Sequence, residues 1–550
     1  MAGVSEVFKQ APKAILHLRA QLQRQRFGLI FGAGISRDLK FPQWPGLVER
    51  LGAHPDIDAA DVVQRCDAQS ADTAPLTRSL STITQMFFTR YRQRQIAAKG
   101  LIQPLSFVDE QGIRTAWLKL IHTELYKDID IEARSGLIRS HPYLARFEAV
   151  IKRAPLTVTY NFDDSLERML YLTRDENEKN TTRGYETIDR PTAQFQRETG
   201  VIYHPNGFLP STFEDGASPQ VVFSDDAFQD QLLSAATGRY LHLSNYLFAN
   251  TCLLIGLSLN DATLQSLLRQ NAVNSPGNIH YIVHFVPSNK PLDEDIRKLI
   301  FEANFESYNL YTLFLDSEGI AELAGLLSMN HRAFKMATKR ERRKYVYYVI
   351  GSVGAGKSTA AGNFRSLTTY EEWIDARRPG LAVPESQLSP EEREELNEWV
   401  AEQFMKKNLA LSECEEGIHL VDRCPLDPLT FGDPAERPVK ARRLHESITS
   451  TAESVSQGHI IYLECDAREI ELRSTFKHKY WGEQKYDELI QRIDEVYGSV
   501  AELTRVSTRG RSPEAVAKEI ARVIFFSDYT EVDVGAKLCE FAESETGVRT

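Results

Sequence analysis

A chain of 550 residues with 42% hydrophobic content is long enough to bury several cores, and length alone favours roughly three or four domain-sized units. Its formal charge of −11 gives no overall attraction for nucleic acid or an anionic membrane, so neither is an expected partner. No apolar run approaches the roughly 18 residues that span a bilayer, the first ten residues lack the apolar centre of a secretory signal, and a cytoplasmic location is expected. The six cysteines are scattered without a C-x-x-C pair, which argues against a disulfide framework and a four-thiolate zinc site.

Short apolar runs alternate with longer helical segments, the pattern of α/β domains with mainly parallel sheets. In chain order the expected strands are Phe27–Phe31, Leu156–Thr159, Cys252–Ile255 and Ile279–Phe285, then Tyr345–Ile350, Ile418–Val421 and Ile460–Leu463. The first group defines an N-terminal Rossmann-like domain over residues 1–330, and the second an α/β domain over 344–526. Residues 52–145 carry few strand signals and read as a helical insertion in the first domain. Between the domains, 331–343 is a basic stretch, read as a linker or solvated helix end, and 527–550 reads as an acidic tail that frays.

Four segments of the first domain fall at or near predicted strand ends. Gly32-Ala33-Gly34-Ile35-Ser36 follows the first strand as a glycine turn, where missing side chains let backbone N–H groups approach a pyrophosphate. Thr159-Tyr160-Asn161-Phe162-Asp163 closes the second strand, His204 stands in Tyr203-His204-Pro205-Asn206-Gly207, and Gly256 to Asp261 follow the strand at Cys252. Taken singly, the glycines are a tight turn, Asn161 a helix cap and His204 a core histidine. In a doubly wound sheet, however, strand C-termini converge on one crevice, so the four segments together describe a site.

In this order, and with Phe41-Pro42-Gln43-Trp44 trailing the glycine turn, the motifs make residues from about 10 to 330 resemble the bacterial branch of the sirtuin-like NAD-binding superfamily. The resemblance implies that Ala33, Gly34 and Ser36 hold the NAD phosphates and nearby ribose, and that Asp163 faces the nicotinamide carboxamide. It further implies that Asn161 orients water or ribose hydroxyls, that Gly256, Ser258 and Asn260 border the adenosine half, and that His204 is the acid/base residue. An imidazole suits that last task because its ordinary pKa near 6.5 lets it exchange a proton at neutral pH. Protein-deacetylating sirtuins carry two C-x-x-C pairs around a structural zinc. Those pairs are missing here, so the expected chemistry is NAD+ cleavage without an acyl acceptor.

The second domain carries Gly351-Ser352-Val353-Gly354-Ala355-Gly356-Lys357-Ser358, a match to G-x-x-x-x-G-K-[ST] directly after a predicted strand, with Thr359 opening a helix. Gly351 and Gly356 would shape the phosphate cradle, Lys357 would reach the β- and γ-phosphates of ATP or another nucleotide, and Ser358 would ligate Mg²⁺. Asp422-Arg423 ends a later strand, and Arg468, Arg473, Lys477 and Lys479 lie on a basic helical stretch that is either a closing lid or a solvated face. With these features residues 344–526 are similar to P-loop kinases of the deoxynucleoside and nucleoside-monophosphate type. That likeness makes Asp422 the candidate base or metal partner, with Glu371 and Glu372 as weaker candidates.

Two nucleotide sites in one chain point to a regulated enzyme. The expected function is an NAD+ hydrolase acting as an effector in anti-phage defence by NAD depletion, with the P-loop domain as nucleotide sensor, assembled as a homo-oligomer and released by a phage-derived trigger. The competing readings are a nucleotide or nucleoside kinase regulated by a non-catalytic NAD-binding domain, and a scaffold in which both sites are degenerate.

Overall fold

The computed structural model describes residues 5–60, 80–173, 185–190, 200–238, 240–259, 261–339, 341–382, 387–474 and 482–544. It contains two parallel sheets in two compact units, one formed by residues 21–271 and 280–334, the other by 1–20, 272–279 and 335–550.

The first unit holds a seven-stranded sheet of β1 (Phe27–Phe31), β2 (Leu156–Thr159), β3 (Tyr185–Ile188), β4 (Gly200–Tyr203), β5 (Thr251–Ile255), β6 (His280–Phe285) and β7 (Leu310–Leu315). Their order is β3-β4-β2-β1-β5-β6-β7, and every pairing is parallel. All five residues of β1 and of β5 are buried, as expected of central strands covered on both faces. Ile30, Val158, Tyr203, Leu254 and Ile282 pack into one core. Because the chain builds β2, β3 and β4 on one side of β1 and then crosses back to lay β5, β6 and β7 on the other, the sheet has its switch point beside β1, where an open α/β sheet forms its ligand crevice. The insertion after β1 is helical where it is described, with helices Leu80–Lys99, Phe107–Tyr126 and Ile131–Ser140.

The second unit holds β8 (Lys344–Ile350), β9 (Thr368–Tyr370), β10 (Gly417–Asp422), β11 (His459–Glu464) and β12 (Thr504–Ser507) in the order β12-β11-β8-β10-β9, again all parallel. Its core is built on Val346, Tyr348, Val421 and Ile460, covered by Phe404, Leu444 and Leu538.

Two expectations change here, for the N-terminal segment and for the tail. The N-terminal segment packs in the second unit: Ser5 N–H donates to the Ala337 carbonyl at 3.3 Å, Lys13 Nζ to the Ser527 carbonyl at 2.7 Å, and the His17 and Phe525 rings lie 5.3 Å apart. The basic stretch, read as a linker or solvated helix end, forms the mostly exposed helix His331–Ala337, and Lys335 and Arg342 pair with Glu415 and Glu531. The acidic tail does not fray over its described part, because Val532 bridges to Gly458 and the helix Val534–Glu543 buries Val534 and Leu538 completely. The N-terminal segment buries Val7, Phe8, Ile15, Leu16 and Leu18, whereas in the basic stretch and the tail a few apolar residues among many charges, Phe334 and then Val532, Val534 and Leu538, supply the burial. Strands β3, β4, β7, β9 and β12 were not anticipated.

No helix among the described residues is long and apolar enough to cross a membrane.

Candidate functional site

The sheet brings Gly32, Asn161, His204 and Gly256 to the C-terminal ends of β1, β2, β4 and β5, four strands that are neighbours in the order β4-β2-β1-β5. The glycine turn is braced against β5: Gly32 N–H donates to the Ile255 carbonyl at 3.0 Å and Gly34 N–H to the Gly256 carbonyl at 2.9 Å. A Cβ on Gly34 would lie 2.7 Å from the Gly256 Cα, and Gly256 itself has φ +70°, so both positions require glycine. Ala33 and Gly34 are exposed at the mouth of the crevice, whereas Ile35 and Ser36 point inward.

Ser36 joins the turn to the second motif. Its hydroxyl donates to Asp163 Oδ2 at 3.0 Å and accepts from Asn161 Nδ2 at 2.8 Å. Asn161 Nδ2 also donates to the Gly32 carbonyl at 3.2 Å, and Asp163 Oδ1 accepts the Ser165 N–H at the start of the helix Ser165–Leu172. Asn161 and Asp163 are both buried. The Ser36 hydroxyl is thereby committed inside the protein, and of the three candidate positions in the glycine turn, Ala33 and Gly34 are the ones open to a ligand.

His204 is fully buried, with its ring 4.5 Å from that of Phe208. Nδ1 lies 3.0 Å from the Asn161 carbonyl and Nε2 lies 2.9 Å from Glu167 Oε1. Burial alone would favour the neutral ring, but Glu167, the Asn161 carbonyl and Asp163 outweigh it and hold the pKa above the ordinary imidazole value. Glu167 was not anticipated; the only signal for it is its place in the first turn of the helix Ser165–Leu172, where no motif marks it. Ser258 is exposed, and Asn260 lies outside the described residues.

The insertion is tied to these loops. Arg134 Nη2 meets Asp164 Oδ1 at 2.5 Å, and Asp164 Oδ2 also accepts the Ser211 N–H and hydroxyl at 3.0 and 2.8 Å. His141 accepts the Leu144 N–H at Nδ1, 3.1 Å, which leaves Nε2 as the donor to the Ile35 carbonyl at 3.2 Å. Tyr126 donates to the Leu209 carbonyl at 2.9 Å, and His122 Nε2 lies 2.9 Å from the Pro210 carbonyl. A shallow cleft between the insertion and residues 219–227 is lined by Phe88, Arg114, Trp117, Val221 and Phe223, and by none of the sequence-predicted residues.

In the second unit Gly351, Gly354 and Gly356 all have positive φ, +146°, +90° and +102°, which shapes the loop after β8. A Cβ on Gly354 would come within 3.0 Å of Ile470, so the helix Ala467–Ser474 closes directly over the loop. Lys357 Nζ donates to the Gly351 and Ser352 carbonyls at 2.8 and 3.0 Å. Ser358 Oγ donates to Asp422 Oδ2 at 2.7 Å, while the buried Asp422 Oδ1 has no hydrogen-bond partner. Thr359 is exposed, and the helix it belongs to, Lys357–Ala361, is only five residues long.

Around Asp422 is a buried charge cluster. Arg423 Nε donates to Glu372 Oε1 at 2.9 Å, its Nη1 lies 3.8 Å from Asp427 Oδ2, and Tyr497 donates to Asp427 Oδ1 at 2.5 Å. Lys407 Nζ donates to the Asp422 and Glu372 carbonyls at 2.7 and 2.8 Å, and burial brings its pKa down to about 8. Of the two weaker carboxylate candidates the structure brings in Glu372. Arg473 is held by the Thr508 carbonyl at 2.7 Å, Arg468 is exposed, and Lys477 and Lys479 lie outside the described residues. Among the described residues no group of three or more His, Cys, Asp or Glu side chains is placed to hold a metal ion.

No curated protein matches the chain. Residues 155–313 match the family described as SIR2-like domain, a class typically of NAD-dependent enzymes. The match begins at β2 and ends in β7, so it is central rather than N-terminal as expected, and it leaves the Gly32–Ser36 turn outside while including Asn161, Asp163, His204 and Gly256. The middle of this chain is thus similar to SIR2-like domains, which supports an NAD-related activity in general.

Proposed function

We propose that the first unit hydrolyses NAD+ at the nicotinamide–ribose bond, releasing nicotinamide and ADP-ribose. The observation that carries this reading is the Asn161–Ser36–Asp163 linkage at the sheet's switch point, with the exposed Ala33–Gly34 turn beside it. Cleavage passes through a cationic, oxocarbenium-like ribose, so the protein must hold the ribose, place a water and keep out other nucleophiles. Asn161 is held by bonds to Gly32 and Ser36 at the crevice, which suits it to placing that water, and Asp163 stabilises positive charge next to it. Mixing the purified protein with NAD+ and following free nicotinamide tests the reading. Asn161→Ala should lower release by about 100-fold or more, the size expected for losing a positioning group at the reacting centre, with the folded fraction unchanged. Turnover by Asn161→Ala within a few-fold of wild type would remove Asn161 from the mechanism.

The second unit, on this reading, binds ATP or a related nucleotide with Mg²⁺ and regulates the first. Mg²⁺ is held in such sites by one or two protein oxygens plus the phosphates, and Ser358 Oγ with the unpartnered Asp422 Oδ1 supplies that donor set. The biological setting that fits a regulated NAD hydrolase is anti-phage defence by NAD depletion in a cytoplasmic homo-oligomer, with a phage-derived trigger. A second reading, a nucleotide or nucleoside kinase, is favoured by the Glu372–Arg423–Asp427 cluster beside the loop. Transfer of phosphate from [γ-³²P]ATP to a panel of nucleosides and nucleoside monophosphates, lost in Lys357→Ala, would establish it.

A further inference from the structure

We infer that His204 is a buried imidazolium that positions the Asn161 backbone, and that it does not take a proton from substrate. The inference rests on the proposed NAD+ cleavage and assigns a different role to one residue of that site. Both ring nitrogens face groups that only accept hydrogen bonds: the Asn161 carbonyl at 3.0 Å and the Glu167 carboxylate at 2.9 Å. With Glu167 as a carboxylate each bond needs an N–H, so the ring carries two protons and the pair is an imidazolium–carboxylate, not a neutral ring accepting from a carboxylic acid. A singly protonated ring would set a nitrogen lone pair against an oxygen lone pair at about the same distance, in a place water does not reach. The hydroxyl of Thr187 also donates to Glu167 Oε1, at 3.2 Å.

The surroundings leave the ring no route to a ligand. Its exposure is 0%, and Phe208 packs 4.5 Å from it. The charged groups that bear on it are Glu167, from the helix Ser165–Leu172, and Asp163, from the loop after β2, both anionic partners for a cation. What the imidazolium holds is the carbonyl of Asn161, whose side chain reaches Gly32 and Ser36 at the crevice. His204 thus acts through Asn161: it fixes the peptide that aims the carboxamide.

The test separates positioning from proton transfer. In His204→Asn the shorter amide Nδ2 occupies roughly the place of Nδ1 and donates to the Asn161 carbonyl, yet it cannot titrate. Release of nicotinamide by this variant should stay within about tenfold of wild type, the worth of one hydrogen bond, whereas His204→Ala should fall by about 100-fold or more. Equal losses in the two variants, with both folded by circular dichroism and thermal melting, would overturn the inference. An activity-independent reading comes from ¹⁵N-histidine NMR of the full chain, with the His204→Asn spectrum identifying the resonance. Two protonated ring nitrogens at pH 7 support the inference, and a singly protonated ring overturns it. Should the wild type release no nicotinamide under any condition, the NAD+ cleavage reading fails while the NMR result still decides the state of His204.

Discussion

Arg134 and Asp164 meet at 2.5 Å in a buried ion pair that ties the helix Ile131–Ser140 of the insertion to the loop bearing Asn161 and Asp163. Burial disfavours the Asp164 carboxylate, but Arg134 and the two Ser211 donors outweigh it and hold its pKa below the ordinary value. A depressed folded pKa adds stability that is present above the unfolded value of about 3.9 and is lost as pH falls through the folded one. Unfolding free energy of the wild type should therefore drop below about pH 4, and Arg134→Ala should flatten that acid slope. At pH 7 the same variant leaves a buried carboxylate without its cation and should cost roughly 3–5 kcal/mol in urea titrations. A cost under 1 kcal/mol would show that Ser211 and Tyr126 satisfy Asp164 without the cation.

Ser36 stands between two residues that the proposed reaction needs. Ser36→Ala removes the donor to Asp163 and the acceptor for Asn161 Nδ2 together, while Asn161 keeps its bond to the Gly32 carbonyl. One or two ordinary hydrogen bonds are lost, so stability should fall by about 1–3 kcal/mol. Nicotinamide release should fall about tenfold or more through the loosened Asn161, chiefly in kcat, because the change affects aim rather than binding. An unchanged kcat with a raised KM would place Ser36 at the substrate instead.

How much of this could be read beforehand depended on whether burial was continuous. β1 and β5 are buried at every residue and appear in the chain as unbroken apolar runs, so their ends, and the motifs there, were located within a residue. β7, Leu310–Leu315, is equally apolar but follows the helix Glu294–Tyr308 with only the left-handed Asn309, φ +55°, between them, and the helical pattern hid it. Asn161, Asp163 and His204 stand in the ordered motifs that carry the resemblance to sirtuin-like proteins, and the resemblance is what singles them out. Glu167 and Arg134 could not be found this way, since each is defined by a partner far along the chain, His204 at 37 residues and Asp164 at 30. Side-chain pairing across elements leaves no local trace.

The C-terminal helix Val534–Glu543 supplies a test of the second unit's stability. Leu538 is fully buried in the core that also holds Phe404 and Leu444. Leu538→Ala should cost roughly 2–5 kcal/mol, the range for a large-to-small change in a packed core. Its thermal melt should shift down by several degrees, and a shift below one degree would mean that the helix is not part of the cooperative unit.

Lys357 tests whether the two proposed nucleotide sites are coupled. Its ammonium group is buried at the loop, donating to the Gly351 and Ser352 carbonyls, and on the proposed reading it turns to the β- and γ-phosphates when nucleotide binds. An effector shifts a conformational equilibrium only by its unequal affinity for the two states, typically about 1–3 kcal/mol or roughly 5- to 150-fold. Lys357→Ala should abolish ATP binding by calorimetry. It should also remove the change in nicotinamide release that ATP causes in the wild type, leaving the rate at whichever level the nucleotide-free protein shows. Linkage demands the reciprocal effect, so a non-hydrolysed NAD analogue should alter the ATP affinity of the wild type by the same factor. If Lys357→Ala loses ATP binding while wild-type NAD+ turnover never responded to ATP, the two sites are independent, and the phosphate loop belongs to an activity of its own.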